Sequence, residues 1–139
     1  MAYKEYPVAA GSMLAGVVQQ RCPRCRRGPL FTHSALNLAH FTEMPAQCPV
    51  CGQAYEPEPG FYWGAMYISF GFSTGMMLVI GALVYYLLGD PDTWVYVTAV
   101  AVVAVLMTPF NLRYSRTLML YLFGGVEYNP GYAEAGPGR

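Results

Sequence analysis

Charged residues are scarce in this sequence. They make up 12% of the 139 residues, whereas apolar residues reach 55%. A typical soluble domain carries about 25% charged residues, so this composition favours a membrane protein. Lysine and arginine are missing altogether between Arg27 and Arg113. The net charge is zero, so there is no overall electrostatic attraction to nucleic acid.

Catalytic signatures are also missing. The sequence has two histidines, His33 and His40, and neither lies in a long apolar run. This excludes a haem held between two histidines inside a membrane. It contains no Ser-His-Asp or Cys-His arrangement, no phosphate-binding loop and no carboxylate pair at catalytic spacing. The sequence therefore predicts a protein that is not an enzyme, with both histidines in polar surface positions.

Four cysteines form two short pairs, Cys22 with Cys25 and Cys48 with Cys51. Two such C-x-x-C pairs, about twenty residues apart, are typical of a zinc ribbon in which all four thiolates bind one tetrahedral ion. A closed set of four thiolates leaves no coordination position open, so we predict structural rather than catalytic zinc. Rubredoxin-like iron is the alternative, because the same geometry suits it.

The residues around the cysteine pairs favour such a site. Gly52 follows the second pair directly, and Gly28 stands three positions after the first. We expect both glycines to adopt the positive φ that turns backbone amides toward sulfur. The first pair is also surrounded by basic residues, whose charge favours thiolates. We predict that these residues form a surface for anionic lipid or a protein partner, in preference to nucleic acid. They are Arg21, Arg24, Arg26 and Arg27.

Two apolar runs without charge follow the cysteines. They cover 61–88 and 94–112, about 28 and about 19 residues, against the roughly 20 that a helix needs to cross a bilayer. Aromatic residues stand near both ends of the first run, which is typical of a membrane interface. A turn over 89–93 joins the two runs. The pattern predicts a hairpin of two transmembrane helices.

We therefore predict a membrane protein made of a small cytoplasmic zinc ribbon, an α-helical transmembrane hairpin and a short C-terminal interfacial helix. Short strands or turns are expected over 30–44 of the ribbon, with a hairpin of strands as the preferred form. The predicted segments are a short helix or leader at 1–20, the zinc-ribbon head at 21–60, transmembrane helices at 61–88 and 94–112, an external turn at 89–93, an interfacial helix at 113–124 and a flexible tail at 125–139.

Basic residues predict the orientation of the hairpin. Lys4 and four arginines precede the first run, Arg113 and Arg116 follow the second, and the connecting turn has none. The positive-inside rule then places both termini in the cytoplasm. The cysteines would lie in a reducing compartment, where thiols persist and disulfides are rare.

Two sets of residues are expected to hold the parts together. Gly71 and Gly75 form a G-x-x-x-G pair, which lets a helix pack closely on the second helix, on another copy or on a larger membrane partner. Two acidic residues lie just before the first helix, and two basic residues lie just after the second, so all four are expected at the same membrane surface. We predict that their ion pairs clamp the head to the anchor. These four residues are Glu56, Glu58, Arg113 and Arg116.

The sequence from Arg21 to about Tyr128 resembles a bacterial family catalogued as domain of unknown function 983. The residues that carry the resemblance are the two cysteine pairs, Gly28 to Phe31, Glu58 to Tyr67, and Arg113 to Arg116. The resemblance implies a protein of the bacterial inner membrane with a zinc-ribbon head, two helices and no settled activity. It also suggests an association with respiratory complexes, because some relatives are encoded beside cytochrome oxidase biogenesis genes.

Together these observations predict an accessory protein of the inner membrane. Its zinc ribbon would be a cytoplasmic docking module, and its helices would pack on a larger membrane complex as a small subunit or assembly factor. A homo-oligomer is a further option. The alternative, from a different class, is a metal-handling or rubredoxin-like electron-transfer protein that uses the four cysteines chemically. A membrane-tethered nucleic-acid binder is the third and least favoured interpretation.

Overall fold

The computed structural model describes residues 12–134, which form a head built from loops and a long helical hairpin. The helices are α1 (Met13–Val18), α2 (Ala65–Leu88), α3 (Thr93–Phe123) and α4 (Gly131–Glu134), and a 3₁₀ turn, Phe61–Trp63, leads into α2. Residues 12–134 contain no strand, only two isolated bridges that join Arg21 to Pro29 and Gln47 to Ala54. The predicted hairpin of strands is therefore wrong. Predictions for 1–11 and 135–139 lie outside the described residues.

Two helical stretches are long and apolar enough to cross a membrane, Phe61–Leu88 and Thr93–Phe123. Only 6% of the most apolar window of each is buried within the protein, so most side chains in these windows are at least partly exposed. Gly89 ends α2 in the left-handed conformation, with φ of +66°, and its N–H donates to the Tyr85 carbonyl at 3.0 Å. Glycine adopts this helix-ending conformation without a Cβ penalty. The two long apolar helices of the prediction are confirmed.

The second long helix extends further than its apolar run. The sequence predicted a helix over 94–112 and a separate interfacial helix over 113–124, but α3 continues unbroken through Pro109 and Arg113 to Phe123. The separate helix is therefore wrong. The reason is that the end of α3 packs on the head, burying Arg113, Thr117 and Leu120, so the basic residues meet protein where the sequence suggested an exit from the bilayer.

The head and the end of α3 share one core. Leu120, from α3, is fully buried in a cluster with Leu30, Phe31 and Tyr55 of the head, and the cysteines complete this cluster. Fully burying a leucine side chain contributes about 1.5–3 kcal/mol. The head is thus packed directly on the end of α3.

The short helix α1 packs against the same end of α3. Ser12 caps α1 by accepting a hydrogen bond from the Ala15 N–H at 3.2 Å. The Tyr114 hydroxyl donates to the Val18 carbonyl at 3.1 Å. A Cβ on the buried Gly16 would lie 2.4 Å from the Tyr121 hydroxyl oxygen. The short helix predicted within 1–20 is therefore present, and it lies on α3.

The predicted ion pairs of the head–anchor clamp do not form. Within residues 12–134, neither Glu56 nor Glu58 forms an ion pair with Arg113 or Arg116. Both glutamates are exposed. A carboxylate oxygen of Glu56 instead accepts a hydrogen bond from the Gly60 N–H at 3.3 Å.

The two arginines nevertheless hold the head, through backbone carbonyls. The Arg113 guanidinium donates from Nη2 to the His33 carbonyl at 2.8 Å and lies 4.2 Å from the centre of the Phe31 ring. Arg116 donates from Nη1 to the Thr42 carbonyl, also at 2.8 Å. Hydrogen bonds from a charged donor contribute about 1.5–3 kcal/mol. The two arginines thus connect α3 to the head, but their partners are carbonyls of the loop between the cysteine pairs.

The glycine pair of α2 does not face α3. Gly71 and Gly75 are exposed, and a Cβ built on either would meet no atom within 4 Å. Packing of this chain's own helices on these glycines is therefore wrong. A polar contact joins the helices nearby: Asn111 donates from Nδ2 to the Ser73 hydroxyl at 3.0 Å and to the Ser69 carbonyl at 3.4 Å. The sequence interpretation missed Asn111, the amide residue just before the arginines of α3.

Candidate metal centre

The four cysteine thiols converge on one point. All four Sγ atoms lie within 4.8 Å of one another. The distance between Cys22 and Cys51 is 3.7 Å, as is that between Cys25 and Cys48. A tetrahedron of thiolates at the usual zinc–sulfur distance of about 2.3 Å places its sulfurs about 3.8 Å apart. The spacing fits one ion and is far from a disulfide bond, in which the sulfurs are about 2 Å apart.

The first cysteine pair is held in a tight knuckle. The Cys22 N–H donates to the Gly28 carbonyl, and the Arg26 N–H donates back to the Cys22 carbonyl, both at 2.8 Å. Arg26 adopts a positive φ of +54°. The Arg21 guanidinium donates from Nη1 to the Arg27 carbonyl at 3.0 Å, so part of the basic cluster stabilises the loop that carries the thiols.

The second pair repeats this geometry. The Cys48 N–H donates to the Gln53 carbonyl at 2.8 Å, and the Gly52 N–H donates to the Cys48 carbonyl at 2.9 Å. Gly52 has the predicted positive φ, +70°. In the first knuckle the matching position, directly after the second cysteine, is Arg26. The prediction of positive φ at Gly28 is therefore wrong.

Gly28 has a different role, which is set by space. A Cβ at this position would lie 2.2 Å from the Sγ of Cys48 and 3.4 Å from the hydroxyl oxygen of Tyr55. Real Cβ atoms do not approach other atoms as closely as 2.2 Å. The first knuckle therefore reaches the second only because residue 28 has no side chain.

Tyr55 lies against the thiols and escaped the sequence interpretation. Its side chain is 1% exposed, and its hydroxyl donates to the Pro29 carbonyl at 3.0 Å. Burial raises the pKa of Tyr55 far above its usual range, so its hydroxyl stays neutral beside the sulfurs. Its backbone carbonyl in turn accepts a hydrogen bond from the Tyr62 hydroxyl. The feature of the sequence that could have indicated this contact is the position of Tyr55, four residues after Cys51.

The thiols cannot all ionise independently at this spacing. Hydrogen bonding with Cys22 lowers the pKa of the Cys48 thiol, whereas hydrogen bonding with Cys25 raises the pKa of Cys22. Some sulfurs thus ionise readily while their neighbours resist. A bound cation removes this conflict because it stabilises every thiolate at once. The donor set can therefore hold a metal ion, with Cys51 half-buried and the other three cysteines buried.

The arginines of the first knuckle are partly covered by the C-terminal segment. The Arg24 guanidinium lies 3.7 Å from the centre of the Tyr132 ring, and that of Arg26 lies 3.9 Å from that of Tyr128. The Asn129 N–H donates to the Arg24 carbonyl at 3.0 Å. The predicted flexible tail is therefore wrong for the described residues after α3, which pack on the head. All four arginines of the predicted surface are only partly exposed.

The two histidines stay apart from the thiol cluster. His33 and His40 both contact the carboxylate of Glu43, with Nδ1–oxygen distances of 3.3 and 2.6 Å. All three residues are exposed. Among residues 12–134 the four cysteines are the only group of three or more thiol, imidazole or carboxylate side chains positioned to hold one metal ion.

The fold and the site define a protein in which a four-thiol head is packed on two membrane-length helices. The chain belongs to the family described as "Protein of unknown function (DUF983)", whose model matches residues 38–123, more than half of the chain. The match contains Cys48 and Cys51 and both long helices, and the first cysteine pair precedes it. No curated protein and no solved structure matches the chain. Family membership thus assigns no activity to the chain.

Proposed function

We propose that the protein is a non-enzymatic accessory protein of the bacterial inner membrane, with the head on the cytoplasmic side. In this proposal one structural zinc ion joins the two knuckles, and the head docks on a larger membrane complex. The role is that of a small subunit or assembly factor. The family resemblance suggests respiratory oxidase complexes as the class of partner.

The observation that carries this proposal is the shared core of the thiol cluster and α3. Leu120 is buried among the same residues as the cysteines. A head of about 40 residues has too little core to fold without a staple. Zinc, when bound, supplies that staple by joining Cys22 and Cys25 to Cys48 and Cys51. The ion would then fix the surface of the head relative to the hairpin.

The outward faces of the hairpin support packing on a partner. Gly71 and Gly75 lie exposed on α2 with open space beside them. Small residues at this spacing allow another helix to approach closely. The sequence has no acidic or basic residue between Glu58 and Asp90, so this face suits a helix within the bilayer. A second copy of the chain is the competing occupant.

One observation favours the alternative, a protein that uses the thiols chemically. Cys51 is half-buried, whereas the other three cysteines are buried. A partly exposed sulfur gives an incoming electron carrier or metal-binding thiol a point of approach. In this version the site would hold iron as a redox centre or would hand over its metal.

Metal analysis of the purified chain separates these two functions. We expect one zinc ion per chain and no visible absorption, because a closed structural site uses a redox-inactive ion. Elemental analysis and a visible spectrum of protein from cells grown with both metals measure this. A red protein with iron in place of zinc, bleached by a reductant, would support the electron-transfer alternative and overturn the structural assignment.

Purification in a mild detergent tests the accessory role. We expect the chain to be recovered with a larger membrane complex, and we expect Gly71→Ile together with Gly75→Ile to weaken this association strongly. Bulky side chains at these positions prevent close helix approach, and they do not touch the head. Unchanged zinc content is the control for folding. Recovery of the wild-type chain only as a free monomer or homodimer would contradict the proposal.

A further inference from the structure

We propose that the junction between the head and the hairpin binds a phospholipid whose headgroup carries a primary ammonium, as in phosphoethanolamine lipids. The phosphate would lie at Arg116 and the ammonium at Glu56. This inference rests on the proposed residence in a membrane. The residues that carry it lie outside the metal centre.

Two adjoining cavities form the site. The larger, of about 570 Å³, lies between the head and the start of α2 and is lined by Glu56, Tyr62, Trp63 and Arg116, among others. The smaller, of about 340 Å³, continues between α2 and α3 and includes Phe70. Both are lined by Tyr62, Met66 and Arg116. A headgroup fits the larger cavity, and the start of an acyl chain fits the smaller one.

Arg116 is the group that would meet the phosphate. One guanidinium nitrogen, Nη1, donates to the Thr42 carbonyl at 2.8 Å, and Arg116 forms no ion pair within residues 12–134. The guanidinium also lies 5.4 Å from the centre of the Tyr62 ring. These contacts orient the side chain while leaving donors for an anion. Arginine binds phosphate oxygens through paired N–H groups more specifically than lysine does.

Glu56 gives the same cavity a negative charge. One of its oxygens accepts from the Gly60 N–H, and the residue is exposed. The two opposite charges line one cavity without pairing to each other. A headgroup that carries only a negative charge would satisfy Arg116 and be repelled by Glu56. A headgroup with a phosphate and a hydrogen-bonding ammonium satisfies both, whereas a quaternary ammonium cannot donate to the carboxylate.

The depth of the site suits a headgroup. It lies at the start of the first membrane-length stretch, where Trp63 is 76% exposed. Tryptophan at the end of a transmembrane segment marks the level of the headgroups. Its ring lines the larger cavity beside Glu56, where an aromatic face adds to the attraction for an ammonium. Phe70, about two turns further along the chain, is exposed and lines the smaller cavity.

Lipid retention by matched variants tests the proposal. The full chain is purified in detergent, offered equal amounts of phosphatidylethanolamine, phosphatidylglycerol and phosphatidylcholine, and examined by native mass spectrometry. We expect the wild-type chain to retain phosphatidylethanolamine about tenfold over the other two, as one charge-assisted hydrogen bond provides. Glu56→Gln keeps an acceptor for the Gly60 N–H but removes the charge. The ratio of retained phosphatidylethanolamine to each of the other two lipids should therefore fall from about ten to about one.

Glu58→Gln is the control, because Glu58 is equally exposed and two positions away but is not among the residues that line the cavity. It should retain the wild-type preference. A preference that is absent from the wild-type chain, survives Glu56→Gln, or disappears equally in Glu58→Gln would overturn the proposal. The zinc content of the same preparations, and protease protection after their reconstitution into vesicles, report separately on the proposed membrane function. A chain that spans the vesicle membrane without lipid preference refutes this inference alone.

Discussion

Replacing Gly28 with alanine is expected to abolish retention of the metal by the four thiols. The new Cβ would lie 2.2 Å from the Sγ of Cys48, so the two knuckles have to move apart. A four-thiolate site loses its tetrahedral geometry when one pair is displaced. We expect the zinc content of the purified variant to fall from one ion per chain to about a tenth or less, measured by elemental analysis.

Gly52→Ala is the matched control for this variant. Gly52 has a positive φ of +70°, but a Cβ there would meet no atom within 4 Å. Alanine should therefore add only backbone strain, about 1–2 kcal/mol, and the metal should stay bound. Equal zinc content in Gly28→Ala and wild-type protein would show that the knuckles can separate without losing the ion. Equal loss in both variants would show that contact with Cys48 is not the specific cause, since Gly52→Ala makes no such contact.

Shortening Leu120 to alanine is expected to detach the head from α3. The side chain is fully buried in the core that contains the cysteines, and a leucine-to-alanine change at such a position costs about 2–5 kcal/mol. We expect the denaturant midpoint of the head to fall accordingly and proteases to cleave the loop at 31–43 much faster. Unfolding followed by tyrosine fluorescence in detergent, together with limited proteolysis, measures both effects.

Leu122→Ala supplies the comparison for this change. Leu122 lies two positions further along α3 and is 59% exposed, so its truncation should alter the stability of the head by less than about 0.5 kcal/mol. Both substitutions replace leucine with alanine within α3, so the change in intrinsic helix propensity is the same. If both variants lose equal stability, the effect comes from α3 itself, and the shared core does not hold the head.

The main parts of this fold were predictable because their signals are local. Charge-free runs, long enough for a helix to span a membrane, predict α2 and most of α3. The spacing of the cysteine pairs predicts that their thiols lie close together. Both signals depend on composition and short spacing. They do not depend on which distant residue contacts which.

The errors concern contacts between distant parts of the chain. Arg113 and Arg116 were interpreted as the end of a membrane helix, but they donate to carbonyls 80 and 74 residues earlier in the sequence, and α3 continues. Their partners were predicted to be glutamates because unlike charges attract. Every residue has a backbone carbonyl, so the sequence does not indicate which carbonyl accepts a hydrogen bond from a distant arginine.

The glycines illustrate a second limit. Gly28 and Gly52 both follow a cysteine pair, yet Gly52 is needed for its positive φ and Gly28 for the space beside Cys48. The first knuckle places Arg26 in the left-handed conformation instead. Arginine is uncommon in that region, so the sequence favoured a glycine for this role. Only the three-dimensional contacts separate a requirement for conformation from a requirement for room.

The helix α3 runs as one element from the apolar hairpin into the core of the head. The tilt of α3 and the position of the head are therefore linked. The helix has 31 residues, so it is about 46 Å long, whereas the hydrocarbon core of a bilayer is about 30 Å thick. In the proposed membrane placement, the last turns of α3, which carry Arg113 and Leu120, would extend beyond that core and carry the head. A change of about 10° in helix tilt would sweep the metal centre sideways by a few ångströms. In that placement, a partner helix that tilts α3 within the bilayer would displace the head at the membrane surface.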